Sequence, residues 1–436
     1  MNYIGSQTKM ALKNFPFPYH KVPLDLIYAI TEIKIAAALA HKKIGELRRD
    51  KADSIVRAGN EILNGTHDDQ FTTSALQGGA GTSINMNVNE VIALRASELL
   101  NRPEIQIHPN DDVNKSQSTN DVNPSALRIV AIRKMSALLN ALDDLITTLE
   151  QKGKQCASIK KLARTHIQDA LPTTLGAEMI AYSEVLKRDR LRIAEAVHYM
   201  HDLNLGGTAI GNSISASTAY IKEVYIQLSA LTKLPLRKGK NFMSLTGSQS
   251  DFYHMSASLI ALALDISKIA SDIRFLSSGP NGGIGEIALE ALQPGSSIMP
   301  GKVNPVIPES LNQVYYILSG QHLTIEHACE NSHLELGIMF PSIADALISN
   351  FDLLTTGTTI FNEKCIKLIK PNRERALQWL ESSTAYATLL VPQFGYDLVS
   401  SIVKESIEEK KTIREIILKK KLLSAKEFEA LIRIKD

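Results

Sequence analysis

Cysteine is scarce and scattered in this sequence. Cys156, Cys329 and Cys365 stand far apart and form no C-x-x-C pair. That spacing excludes a disulfide framework and fits a reducing, cytoplasmic compartment. A surplus of one charge is missing too: the net charge is +2 with both signs interspersed, so no field for nucleic acid or an acidic partner is expected. Lys419, Lys420 and Lys421 read as a solvated helix end. No basic n-region and apolar h-region precede a cleavage site, so export is not indicated. The most apolar stretch, 255–276, is broken by Asp265, Lys268, Asp272 and Arg274, which makes it a core helix and not a membrane span.

Several chemical motifs are absent as well. There is no H-E-x-x-H, and the 11 histidines do not cluster with cysteines or carboxylates at ligand spacing. No metal or other cofactor is expected. The G-x-S-x-G elbow of serine hydrolases is missing. The sequence nearest to a phosphate loop runs from Gly295 to Lys302, but its glycines are wrongly spaced and Val303 stands where a hydroxyl is required. Nucleotide binding is therefore discarded.

What remains is ordinary in bulk and unusual in pattern. A chain of 436 residues with 44% hydrophobic and 22% charged content has room for two or three domains and ample core. Long proline-free intervals separate Pro124, Pro172, Pro235 and Pro280, and another runs from Pro308 to Pro341. They carry apolar residues three and four apart, as at Leu127, Ile129, Val130, Leu138 and Leu139. The fold class is mainly α, with helices longer than the usual three or four turns and little strand alternation. Such rods are most simply buried in a bundle completed by other subunits. Thr412 with Glu415, and Ser424 with Glu427, have the capping-box spacing and mark short helices near the C-terminus.

Four polar clusters punctuate this helical pattern. The first is 77–90, where glycines precede Thr82, Ser83 and three asparagines, Asn85, Asn87 and Asn89, that suit a helix interior poorly. The second is 108–123, with Ser118, Thr119 and Asn120; helix capping explains it as well as function does. The third is 162–172, holding Thr165, His166, Gln168 and Asp169. The fourth, 294–305, packs Ser296, Ser297, Lys302 and Asn304 between Pro294 and Pro305, which argues for an ordered loop. Its N–H groups near Gly295 can form an anion-holding nest. Many neutral donors with one cation suit a small dicarboxylate on which further negative charge develops. The Gly-rich approach at 276–285 is expected to be mobile.

The stretch Gly295-Ser296-Ser297-Ile298-Met299-Pro300-Gly301-Lys302-Val303-Asn304 matches every fixed position of G-S-S-x-M-P-x-K-x-N and resembles the signature of the fumarase/aspartase superfamily. Gly81-Thr82-Ser83, Ser118-Thr119-Asn120-Asp121 and Thr165-His166 with Gln168-Asp169 resemble the three other polar regions of aspartases, in the same order. Val306 and Ile307 resemble the aspartase branch, where fumarases usually carry Thr-Gln.

The resemblance implies an N-terminal domain over 1–115, a central helix bundle over 116–370 carrying the loop 294–305, and a small C-terminal helical domain over 371–436. It further implies a homotetramer with each active site built from three subunits, and no nucleic-acid or membrane partner. The implied reaction is that of aspartate ammonia-lyase: anti-elimination of ammonia from L-aspartate to fumarate through an aci-carboxylate dianion. Ser296 would be the base, with His166 and Lys302 as further catalytic residues. Thr82, Ser118, Thr119 and Ser297 would hold the carboxylate that becomes the dianion. Thr165, His166, Lys302 and Asn304 would hold the other, and Asn120 would face the amine.

The chain departs from the family pattern in three places. Met10 stands where an arginine is usual, Asn212-Ser213 replaces part of a Thr-Gly-x-Asn segment, and 244–253 keeps only some of its pattern, including Asp251 and Tyr253. Fumarate hydratase, a lyase for a substituted aspartate and a catalytically silent paralogue are therefore carried as alternatives.

Overall fold

The computed structural model describes residues 3–431. Five long helices dominate it: Thr119–Gln155, Leu175–Met200, Ser250–Leu276, Val306–Glu330 and Phe340–Lys364. They largely coincide with proline-free stretches of the sequence, with Pro124, Pro308 and Pro341 falling in the first two turns of their helices, and each carries a regular apolar stripe. No helix among the described residues is long and apolar enough to cross a membrane. In the Ser250–Leu276 helix, Met255, Leu259, Leu262, Ile266, Ile269 and Ile273 are all buried.

The chain divides into two compact units: 1–139, 191–261 and 316–354 in the first, and 140–190, 262–315 and 355–436 in the second. Every boundary between them falls inside one of the five long helices.

In the first unit, the Leu24–Ile44 helix is buried nearly all round and packs against Arg49–Leu63 and Thr218–Thr232. Gly59 permits this approach, since a Cβ there would lie 2.6 Å from Ile35. The Thr82–Leu100 helix runs straight through Asn85, Asn87 and Asn89, contrary to the reading that they sit poorly in a helix. The reason is tertiary. Asn85 Nδ2 donates to Asn114 Oδ1 and Thr119 Oγ1, and Asn87 Nδ2 donates to the Gln70 carbonyl. These side chains are spent on neighbouring elements instead of competing for their own backbone.

The second unit contains strands where the sequence suggested only a break between helices. Lys160–Thr165 and Gln168–Thr174 form an antiparallel hairpin joined by His166 and Ile167. Its C-terminal part is a cluster of short helices around Leu380, Tyr386, Leu390, Ile402, Ile416 and Phe428. Thr412 and Glu415 form the expected reciprocal cap, and Ser424 and Glu427 exchange the same pair of bonds. The cysteines are free thiols.

Candidate active site

The first unit holds Thr82, Ser118, Thr119 and Asn120; the second holds Thr165, His166, Ser296, Ser297, Lys302 and Asn304. Each group is built by its own local structure.

Thr82 follows three residues with positive φ, Gly79, Ala80 and Gly81. Gly81 has little alternative, because a Cβ would lie 2.6 Å from Asn123 Nδ2, which itself donates to the carbonyls of Ala80 and Gly81. That bend starts the helix with Thr82 exposed, its hydroxyl donating to the Gly79 carbonyl at 2.7 Å.

Ser118 immediately precedes the Thr119–Gln155 helix, which begins five residues before Pro124 and not after it. Pro124 is the sixth residue of the helix and cannot donate to the Asn120 carbonyl, which accepts from Asn204 Nδ2 at 3.0 Å instead. Ser118 Oγ accepts the Asn120 N–H, and Asn120 Nδ2 donates to the Ala209 carbonyl at 2.8 Å. Thr119 and Asn120 line a small cleft with Ala80, Thr246, Gln249 and Phe340.

Beneath this cluster lies a charged pair to which the sequence reading gave no role. Asp121 is fully buried and accepts the N–H groups of Ser118, Gly206 and Thr208 at 2.9–3.0 Å. It thereby ties Ser118 to the 206–208 turn. Lys34, also fully buried, donates to Asn114 Oδ1 and Gln117 Oε1. Burial pushes the Asp121 carboxyl up to about 6 and the Lys34 ammonium down to about 7. A lysine inside the apolar run Ile33-Lys34-Ile35-Ala36-Ala37 was the available sequence signal.

These shifts fix a pH dependence of stability. Between about 7 and its ordinary 10.5, Lys34 is neutral when folded and charged when unfolded, so the unfolded chain binds more protons and stability rises with pH. Asp121 has the opposite sign: between 3.8 and about 6 the folded chain keeps the proton, and stability falls as pH rises. The pair therefore contributes a minimum between those windows. Urea unfolding midpoints measured from about pH 4 to about pH 9 should show the rise above neutrality, and Lys34→Met should remove it. An unchanged rising limb in the variant would exclude Lys34 as its source.

In the second unit, Thr165 and His166 stand exposed at the hairpin tip. His166 and Ile167 both have positive φ, at 54° and 63°, the geometry of a two-residue turn that normally selects Asn-Gly. A β-branched isoleucine there is strained, and its side chain is 70% exposed, so no apolar burial offsets the strain.

The hairpin is anchored at its base by buried charges. Glu286 is wholly enclosed, with Oε1 2.8 Å from Arg164 Nη1 and Oε2 3.0 Å from Lys161 Nζ. Lys161 also reaches Glu178 at 2.6 Å. Burial raises the Glu178 carboxyl. Glu286 thus joins the strand ending at Thr165 to the segment that leads into the signature loop.

That loop has no regular secondary structure, as its flanking prolines suggested. The Gly295 N–H donates to the Lys302 carbonyl at 2.8 Å, and Asn304 Nδ2 donates to the Gly295 carbonyl at 2.8 Å. Only glycine fits at 295, since a Cβ would stand 2.5 Å from the Lys302 carbonyl oxygen. Ser296 is half-buried, and its Oγ accepts the N–H groups of Ile298 and Met299 at 3.2 and 3.1 Å. Ser297, Lys302 and Ile298 are exposed. Lys302 and Asn304 line a cavity of about 1150 Å³ shared with Arg274, Asn372 and Arg375. The two arginines add positive charge that the sequence reading did not assign. Among the described residues no hydrogen bond or ion pair joins the hairpin tip to this loop.

The departures from the family pattern have local consequences. Met10 lies on the Ser6–Asn14 helix and is 49% exposed. Two residues earlier, Thr8 is buried and donates to Glu90 Oε2 at 2.6 Å. Ser213 and Ser215 both have positive φ around an exposed Ile214. Asp251 pairs with the buried Arg128 at 2.7 Å, a structural role.

Residues 2–319 match the protein family described as "Lyase", and residues 387–436 match "Fumarase C C-terminus". The chain is 39% identical to the aspartate ammonia-lyase of Bacillus subtilis strain 168 over 433 residues, covering 99% of this chain and 91% of that one. It is also 39% identical to a class II fumarate hydratase of Halalkalibacterium halodurans over 431 residues, covering 98% and 93%. Among solved structures, a "fumarate lyase:delta crystallin" from Brucella melitensis bound to cobalt superposes with a TM-score of 0.94 at 42% identity, over 99% of this chain and 95% of that chain. With nearly its whole length matched by relatives of both kinds, the chain belongs to the fumarase/aspartase superfamily and is a lyase.

Proposed function

We propose that the enzyme is an aspartate ammonia-lyase, converting L-aspartate reversibly to fumarate and ammonia. The observation that carries the elimination is Ser296, whose Oγ already accepts two backbone N–H groups, and Val306-Ile307 after the loop favours ammonia over water as the leaving group. Those donors stabilise an oxyanion, lowering the hydroxyl pKa toward a usable base. Ser296 removes a proton from the carbon beside one carboxylate, and charge moves into that carboxylate to give an aci-carboxylate dianion. The C–N bond then breaks on the opposite face and ammonia leaves.

Thr82, Ser118, Thr119 and Ser297 hold the developing dianion with neutral donors. Thr165, His166, Lys302 and Asn304 hold the other carboxylate, with Asn120 facing the amine. Each donor that binds the dianion more tightly than the ground state is worth about 2.7–4 kcal/mol. No metal or cofactor is needed for these steps.

The four clusters converge in a homotetramer whose sites each draw on three subunits. Exposed apolar side chains on the long helices support this, among them Leu191, Leu264, Tyr316, Ile317 and Leu323. Light scattering is expected to report a tetramer; an active, stable monomer would remove this part of the reading. A three-part division at about 115 and 370 and a cytoplasmic setting belong to the same reading, the latter supported by the free thiols.

The equal identity to a fumarate hydratase keeps hydration as the second reading. Both reactions share the dianion and differ in the group that leaves. Incubation with fumarate plus ammonium, and with fumarate alone, followed by chromatography, separates them. Aspartate formed only with ammonium supports the proposal, and malate without aspartate establishes the hydratase. Product only with a larger amine would mean a substituted-aspartate lyase, for which the uncharged Met10 leaves room. No product with any nucleophile would mean a silent paralogue.

A further inference from the structure

A second cavity, of about 410 Å³, lies in the same unit as the signature loop but shares none of that loop's residues. Lys160, Arg373 and Arg414 line it together with Glu381 and Glu429, so three cations meet two carboxylates and one positive charge is left over. Their mutual contacts are loose. Arg414 stands 3.7 Å from Glu381 and 3.3 Å from Glu429, and Lys160 stands 3.8 Å from Glu429. None of these is a hydrogen bond, and Arg373 makes no hydrogen bond or ion pair among the described residues. Donor capacity is therefore unspent.

The remaining wall is largely apolar. Ile159, Leu377 and Phe428 line it. Tyr386 is only 3% exposed, with its ring edge-on to Phe428 at 5.6 Å between centroids. Its hydroxyl makes no hydrogen bond among the described residues and faces the open cleft, where a ligand can take the place of water. Burial pushes that hydroxyl up to about 12, so it stays a neutral donor. Arg373, Leu377 and Glu381 follow at four-residue intervals on the Arg373–Ser382 helix and share one stripe. Arg373 is the first residue of that helix, where the dipole adds to its positive charge. Glu381, at the other end, is already faced by Arg414.

We propose that this cavity is a binding site for a small monocarboxylate with an apolar body, separate from the catalytic centre. The carboxylate meets Arg373 and the helix start, the apolar body covers Leu377, Ile159 and Phe428, and the Tyr386 hydroxyl closes the polar end. A single negative charge matches the surplus of one cation, whereas an amine would add to it. The site does not depend on which leaving group the enzyme uses.

Calorimetric titration of the full-length protein with sodium hexanoate tests it, with hexylamine as the opposite-charge control. Saturable hexanoate binding is expected, and none by hexylamine. Arg373→Gln, an exposed change, should weaken hexanoate by about tenfold or more, and Tyr386→Phe, which keeps the ring, by about two- to tenfold. Lys302→Ala should leave it unaltered. Absence of saturable binding, equal binding by hexylamine, or unchanged affinity in Arg373→Gln would overturn the proposal. So would loss of binding in Lys302→Ala, which would place hexanoate at the signature loop.

Discussion

Ser296→Ala is expected to lower kcat by about 10²–10⁴-fold, the usual contribution of a positioned proton-transfer group. Folding and assembly should be untouched. The side chain is half-buried in a loop whose shape is fixed by other contacts, Gly295 to Lys302 and Asn304 to Gly295. Removing Oγ frees the N–H groups of Ile298 and Met299, both exposed, and water can satisfy them. Circular dichroism and light scattering would check that expectation beside steady-state kinetics. A variant with full kcat and only a raised KM would show that Ser296 binds substrate and another group is the base. Lys302→Ala should differ in kind: its charge serves the ground state as well, so KM should rise together with a fall in kcat.

The second large effect is on stability. Glu286→Ala leaves Lys161 and Arg164 facing each other without the carboxylate that lies between them. Lys161 is 2% exposed and the Glu286 side chain 0%, so water cannot take over. Breaking a buried charged cluster in this way costs about 3–5 kcal/mol. Urea denaturation should show it as a lower midpoint with the slope unchanged. Glu286→Gln should cost less, because the carboxamide oxygen still accepts from Arg164. A loss within about 0.5 kcal/mol for the alanine variant, the range of ordinary surface changes, would mean the cluster is not a structural anchor. Because Glu286 ties the Thr165–His166 hairpin to the approach of the signature loop, the glutamine variant should also show reduced kcat.

The long helices were legible because their signal is local and repeated. Proline-free intervals with apolar residues three and four apart leave few other arrangements, and Thr119–Gln155, Ser250–Leu276 and Val306–Glu330 followed. The capping pairs Thr412/Glu415 and Ser424/Glu427 were equally local. So was the signature loop, whose flanking prolines and glycines rule out regular structure by their backbone chemistry alone.

What the chain order could not reveal depends on partners distant in sequence. Asn85 and Asn87 looked unsuited to a helix because intrinsic preference counts only competition with the local backbone; bonds to Asn114, Thr119 and Gln70 reversed that. The 160–174 hairpin turns on His166 and Ile167 in place of the Asn-Gly that marks such a turn, and a β-branched isoleucine avoids positive φ, so no turn signal marked it. Lys34, Asp121, Lys161 and Glu286 read as ordinary charges until burial set two of their pKa values near neutrality and locked the other two together. Hydrophobic period and backbone breakers act over a few residues and are written in the sequence, whereas desolvation and charge pairing exist only once tertiary contacts have removed water.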